Sequence, residues 1–383
     1  MKKEAPDTSY INKMRPYEQI WQHIQELQNW SSSSWWFFVL LPKRENGYGP
    51  GQYMFTFASR AGEIYAVNRV WQKGMDVHRP VSHTVDRFMT TAVGWINHGT
   101  EVHEEIVLQP VEATLDANGS IRAWEEQEDG ELHGGEIISR NDDHHTTDVF
   151  FKGKRGYAKF TAWAESDWEY DRPSISDVRS KMGGVHLVAW RKLNFKGEFK
   201  SPEKTEQVEG VGYFQRVCMN IPMFPWFWNY TVFEDGSLFS AFQPYVGLQL
   251  FRKGTWYFKN KIERAFAVPM SSSYFADHKS KETIVFNHTL VKPIIGKGEH
   301  PWFEVLCKND NGDYIQILFS SYGHAQFLLD RRMILALFES RFNYNEFMIK
   351  VERIEGRING APLPKAQIGK GWGNMEYTWG ISL

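Results

Sequence analysis

The sequence predicts an all-β protein built as a barrel or a sandwich, and three observations carry that reading. Short runs with apolar and polar residues in alternation recur along most of the 383-residue chain, separated by Gly, Asn and Asp clusters. Aromatic residues make up 15% of it, with 16 Trp, 27 Phe and 16 Tyr, and aromatic rings favour strands. The short strands do not alternate with helices as βαβ units would. At this length one small core is excluded, so two domains or one large β assembly are expected.

The elements follow in order. Within 16–30, Ile20, Ile24 and Leu27 share one helical face, with Trp21 beside them and Gln and Glu opposite. One N-terminal helix is therefore expected in a segment 1–34, ended by the serines at 31–34. The run WWFFVLL at 35–41 precedes a turn-rich 45–51, after which Tyr53, Phe55 and Phe57 alternate with Met54, Thr56 and Ala58. Strands are expected over 64–71, 104–115, 120–124, 148–153 and 158–164, with DANG and EDGE as hairpin turns. The polar stretch 165–184 reads as a connection or a loop over a cavity mouth, and strands resume at 184–199. The charged, Pro-containing tract 201–210 marks the domain boundary, giving a first β domain at 35–204 and a second at 205–383. In the second, strands are expected over 211–219, 226–233, 237–242, 245–251, 255–258, 284–292, 302–307 and 313–319. A helix over 330–342 and two or three closing strands complete the chain.

Composition narrows the function. A net charge of −2 and a pI near 6.7 leave no electrostatic footprint for nucleic acid. No basic block suggests an anionic membrane. Cys218 and Cys307 form no metal or CxxC spacing; a reducing compartment fits that count, and a disulfide between them is the alternative. The first residues lack the apolar run of a signal peptide, and WWFFVLL is too short to span a bilayer. A cytoplasmic protein is expected, with at most transient membrane contact.

The stretch GYFQRVCMNIPMFPWFWNY at 212–230 concentrates the chemistry. Strand alternation puts Tyr213, Gln215 and Val217 on one face and Phe214, Arg216 and Cys218 on the other. Likewise Trp226, Trp228, Tyr230 and Val232 share a face opposite Phe227, Asn229, Thr231 and Phe233. Read as one hairpin joined by Asn220-Ile-Pro-Met-Phe-Pro, the stretch presents an aromatic wall with a few polar tips. Such a wall lines an apolar-ligand pocket or fills a sandwich core, and both readings stand.

The order Gly212, Tyr213, Asn220, Pro222, Trp226, Trp228, Asp235 and Gly236 resembles the central motif of the lipocalin-like superfamily that includes carotenoid 1,2-hydratase (hydroxyneurosporene synthase). It resembles more distantly the tocopherol cyclases and the lipocalin-type Diels–Alderases. In GGVHLVAW, which ends at Trp190, His186 stands where the hydratases also carry a His. The match covers residues 183–236. The resemblance implies two consecutive lipocalin-like β-barrel domains and a hydrophobic calyx for an isoprenoid or polyene. In the hydratases a carboxylic acid protonates a double bond and water captures the cation. That needs an acid whose pKa is raised by an apolar site, and aromatic faces for the positive charge. The hydratases carry Asp two residues after the Tyr; this chain has Gln215, and an amide is no general acid.

Glu376, in the aromatic GWGNMEYTWG, is the leading substitute, because a carboxyl group there is expensive to bury unless paired or protonated. The plainer reading is a strand-end cap or a pair with an Arg such as Arg216. Glu136 in HGGEIIS is a weaker candidate. His186 reads as catalytic or as a satisfied strand histidine, and Arg216 as a ligand contact or a structural ion pair. His144 and His145 point to opposite sides of an extended segment, so a solvated turn is favoured over a metal site; His98 and His103, across a short turn, are a weak zinc candidate. No phosphate loop, dinucleotide fingerprint or G-x-S-x-G elbow occurs. The expectation is a cofactor-independent, metal-free enzyme that hydrates, cyclises or isomerises a large apolar molecule; the alternative is a carrier of such a ligand. His186, Tyr213, Gln215 and Glu376 are the catalytic candidates. Trp190, Arg216, Asn220, Trp226, Trp228 and Tyr230 are the ligand-binding ones.

Overall fold

A computed structural model describes residues 33–45, 47–60, 64–67, 70–73, 79–80, 86–100, 103–116, 120–140, 145–164, 174–180, 183–219, 224–247, 265–267, 272–332, 339–363 and 368–381. The expected N-terminal helix lies outside them, as do the expected strand at 255–258 and Asn220; Ser33 and Ser34 already belong to a strand.

Alternation dictates the barrels. Every second residue of Thr147–Gly153 and of Gly156–Trp163 is buried, as in a sheet with one face on a core. Ten strands close on themselves in the first barrel. Its order runs Gly156–Trp163, Thr147–Gly153, Leu132–Ser139, Ile121–Glu126, His103–Leu115, Asp86–Asn97, Gln52–Arg60, Ser33–Arg44, Thr205–Met219 and Gly183–Lys200, which pairs back onto the first. Closure leaves no sheet edge within that circuit. The second barrel runs through nine strands from Thr283–Phe286 to His288–Ile294. Side chains bridge its seam: Val291 N donates to Gln243 Oε1 at 2.6 Å, and the hydroxyls of Ser273 and Thr289 meet at 2.5 Å. The architecture is all-β, with two consecutive lipocalin-like barrels.

Aromatic clusters line both interiors. Phe38 stacks on Phe214 at 4.1 Å in the first, and Phe227 on Tyr377 at 4.8 Å in the second. A third cluster lies between the barrels, where Phe37, Val39, Leu41, Met54, Val93 and Trp95 pack against Tyr230, Val232, Ala325, Phe327 and Met348. This explains the WWFFVLL run. Its even-numbered residues fill the first barrel and its odd-numbered ones from Phe37 onward face the second, so Trp36–Leu41 are buried on both sides.

Several expectations are corrected. Thr205–Met219 pairs with Ser33–Arg44 and Gly183–Lys200, so the boundary expected at 204/205 falls inside a hairpin of the first barrel. The chain changes sheets between Met219 and Trp226. For the same reason 211–219 and 226–233 are not one hairpin; Pro222 and Pro225 between them lack the N–H a continuing ladder needs. The flanks of the expected 330–342 helix are strand, Arg331 opposite Ser340 and Leu329 opposite Phe342, while 333–338 lie outside the described residues: at the flanks ladder pairing overrides helix propensity. The expected 64–71 strand is two strands, Ile64–Val67 and Val70–Lys73, and the former pairs with 327–330 of the second sheet.

Two glycines of the motif have visible structural reasons. A side chain on Gly212 would collide with Leu40, its Cβ 2.6 Å from Cδ2. Gly236 has φ 85°, and its N–H donates to Phe233 O at 2.9 Å in the turn that follows Trp226–Phe233.

Trp95 is 1% exposed, with its ring 5.5 Å from Phe327 across the interface. Trp95→Ala is expected to lower stability by about 3–5 kcal/mol, measured by urea unfolding of the full chain. A loss below about 1 kcal/mol would mean that the interface packing contributes little.

Candidate functional site

The residues singled out from the sequence divide by strand face. Trp190 and Arg216 belong to the first barrel's inner side: Trp190 stacks on Phe214 at 5.3 Å, and the Arg216 guanidinium lies 5.9 Å from the Trp190 ring. Arg216 is therefore not the partner of Glu376. Tyr213 and Gln215 lie on the other face of the same strand, and the Tyr213 hydroxyl donates to Gln215 Oε1 at 2.9 Å. There they meet the outward face of Trp226–Phe233. Tyr213 lies 4.8 Å from Trp228 and 5.6 Å from Tyr230, and Phe37 lies edge-on to Trp228 at 6.5 Å.

Glu376 joins this group. The ladder sets it opposite Trp228 on one side and Glu346 on the other, and directly opposed residues share a face. Its oxygens accept hydrogen bonds from Trp226 Nε1 at 2.5 Å and from the Tyr344 hydroxyl. Glu376 is 3% exposed and Glu346 0%. Neither oxygen of Glu346 makes a well-formed hydrogen bond among the described residues, although the Tyr344 hydroxyl and Asn374 amide stand near enough to favour its ionised form. Trp35, Leu187, Gln215, Trp226, Trp228 and Tyr344 around the pair are only half-buried. The carboxyl groups thus lie among half-buried aromatic rings where the two barrels meet.

Two carboxylates in one apolar site cannot both ionise cheaply. Burial and the neighbouring Glu376 push Glu346 well above the usual carboxylate range. Burial pushes Glu376 up to about 7, against the hydrogen bonds from Tyr344 and Trp226 that favour its ionised form. Tyr213 is raised well above 10 by burial first, then by Tyr274 and Glu376. At neutral pH the pair therefore holds at least one proton, against rings whose faces attract positive charge.

Sequence reasoning missed Glu346 and Tyr344. The available signal was FNYNEFMIK, where alternation sets a Glu between apolar residues exactly as Glu376 stands among aromatics; only the register makes the two opposite. His186 stands opposite Cys218 in the ladder of the first barrel. Glu136 lies 3.9 Å from Arg122 on the surface, apart from this group. His98 faces Glu206 and Glu104, whereas His103 lies 5.6 Å from the Trp95 ring, so the two histidines do not converge. Cys307 is a free, buried thiol.

No protein-family model matches the sequence, and no curated protein matches it. Solved structures do resemble it. That of CghA with Sch210972 has a TM-score of 0.52 at 9% identity, over 91% of this chain and 88% of that one. A putative AttH from Nitrosomonas europaea gives 0.49 at 13% identity, over 92% of both chains. Kievitone hydratase from Nectria haematococca gives 0.42 at 11% identity, over 93% and 92%. The likeness to CghA extends the two-barrel fold to nearly the whole chain; at that identity it speaks of fold alone.

The pair predicts a pH dependence of stability. A carboxyl group whose pKa is raised on folding binds more protons folded than unfolded, so stability falls as pH rises from its unfolded value to its folded one. The window runs from about 4.5 to about 7 for Glu376, and Glu346, raised well above 4.5, contributes in the same direction. The melting temperature is expected to fall across it, and Glu346→Gln to flatten the fall. An unchanged slope in the variant would place the bound proton elsewhere.

Proposed function

We propose that this protein is a cofactor-independent enzyme that holds a large apolar molecule, of the isoprenoid or polyene kind, against the aromatic rings where its barrels meet. The Glu376–Glu346 pair would protonate a carbon–carbon double bond in it. One observation carries the reading: two carboxyl groups, Glu376 and Glu346, face each other buried among half-buried aromatic rings. Gln215 cannot donate that proton; the pair can.

The chemistry follows from the arrangement. As the acid's O–H bond breaks, a C–H bond forms from the double bond's electrons and leaves a cation on the adjacent carbon. Trp226 Nε1–H and the Tyr344 hydroxyl stabilise the carboxylate left behind. The rings of Trp226, Trp228 and Tyr213 support the cation. Capture by water gives hydration, capture by a second double bond gives cyclisation, and loss of a neighbouring proton gives isomerisation. The Tyr213–Gln215 pair is suited to orient a water or the polar end of the substrate. Gln215 also favours the second reading, a carrier that uses the same rings without proton transfer.

Deuterium distinguishes them. Incubated in D2O with a panel of polyenes and isoprenoids, the protein is expected to place deuterium on carbon in the product, read by mass spectrometry. Glu376→Gln is expected to lower that rate by about 100- to 10,000-fold, with ligand affinity, read by tryptophan quenching, changed far less. Binding with no deuterium transfer to any bound member of the panel would leave the carrier.

A further inference from the structure

A second constellation lies at one end of the first barrel, in the turn between Gly183–Lys200 and Thr205–Met219. Ser201 opens that turn and is 4% exposed. Its Oγ lies 3.3 Å from Nε2 of His98. Nδ1 of the same ring lies 3.4 Å from Oε1 of Glu206. Hydroxyl, imidazole and carboxylate therefore stand in sequence, brought together from two parts of the chain, the turn after Asp86–Asn97 and the hairpin at 201–206. No sequence motif announces them, because such triads are assembled in space.

The carboxylate is held in place and ionised. Tyr53 donates to Glu206 Oε1 at 2.7 Å, while Lys204 and Arg44 donate to Oε2 at 3.0 and 3.3 Å. Burial would raise its pKa, but the adjacent His98 ring and the hydrogen bonds from Tyr53, Lys204 and Arg44 outweigh that and hold it well below the usual range. An ionised carboxylate at Nδ1 keeps the imidazole proton there and leaves Nε2 to accept from the serine. Glu104 Oε2, at 3.8 Å, is farther from Nε2 than the Ser201 hydroxyl. The N–H groups of Glu203 and Lys204 both point at Ser201 Oγ, from 3.3 and 3.4 Å. The hydroxyl's other contact in the turn is Lys204 O at 3.5 Å, farther than Nε2 of His98. Beside the turn is an open groove of about 780 Å³, lined by Ser201 and Pro202 together with Lys200, Tyr157, Arg155 and His133.

We propose that Ser201 and His98 are the nucleophile and general base of a second catalytic site, positioned by Glu206, which cleaves small carboxylic esters bound in this groove. Ser201 Oγ bonds to the acyl carbon as His98 Nε2 takes the hydroxyl proton. The bond to the leaving alkoxide breaks as the imidazolium returns that proton to it. Water then attacks the acyl-serine with His98 again as base, releasing the carboxylic acid and regenerating the hydroxyl.

The test uses a fluorophosphonate probe on the full-length protein, with the adduct mapped by peptide mass spectrometry, alongside hydrolysis of p-nitrophenyl acetate and butyrate. A stoichiometric adduct on Ser201 is expected in the unmodified protein, so no variant has to fold for the first result. Ser201→Ala is expected to remove the adduct and lower ester turnover by at least about 100-fold. His98→Gln leaves the serine's contacts within its own turn intact; with a native melting temperature, it is expected to slow labelling by a comparable factor. An unlabelled Ser201 in the unmodified protein, or turnover undiminished in Ser201→Ala, would overturn the proposal and leave the serine as a turn-forming residue.

Discussion

Face-to-face burial of two barrel walls is the constraint on which the rest depends. A barrel strand ordinarily spends one face on its core and gives the other to water. Here Ser33–Arg44, Gln52–Arg60, Thr205–Met219 and Trp226–Phe233 spend both, one inside a barrel and one against its neighbour. Ser33–Arg44 and Trp226–Phe233 are accordingly rich in rings, and Gly212 is small because Leu40 of the adjoining strand fills the space beside it.

The same constraint sets the electrostatics. Polar groups on the outer wall of the second barrel, which water would otherwise solvate, are enclosed by the first. Some find partners across the seam: Gln52 Nε2 donates to Asn374 Oδ1 at 3.2 Å, and Gly51 N to the Tyr322 hydroxyl at 3.3 Å. Glu346 makes no well-formed hydrogen bond among the described residues. A buried carboxylate so placed is costly unless it keeps its proton. Glu376, one strand away, is engaged by two donors and still sits near neutrality. Docking the barrels thus turns two ordinary surface glutamates into an acid pair.

Much of this was legible in the sequence and some of it was not, for physical reasons. Alternation revealed the strands and the faces of 211–219 and 226–233, since side-chain direction in a strand is a local property. Glu376 was legible because a carboxyl group among rings is anomalous wherever it falls. Its partner was not, because register between distant strands is set by pairing that no local pattern records. The hairpin assumed for 211–219 and 226–233 failed on the same ground: two adjacent aromatic strands look alike whether they meet edge to edge in one sheet or face to face across two. The helix read at 330–342 gives way to strand at both flanks, because propensity was the only local signal there and a long ladder outweighed it.

The hairpin formed by Ile64–Val67 and Val70–Lys73 bears on how the chain is made. It leaves the first half and joins the second sheet, Val67 beside Phe327. A ribosome delivers it long before its partner strand exists. Until then its pairing edge faces solvent or a chaperone, as does the first barrel's open side awaiting Thr205–Met219. Contacts of such sequence separation are slow to form and leave strand edges open to other chains meanwhile. Neither half can be finished independently, so synthesis in fragments would yield two incomplete sheets with complementary sticky edges. Translation pace and chaperone supply thereby become part of what specifies the acid pair.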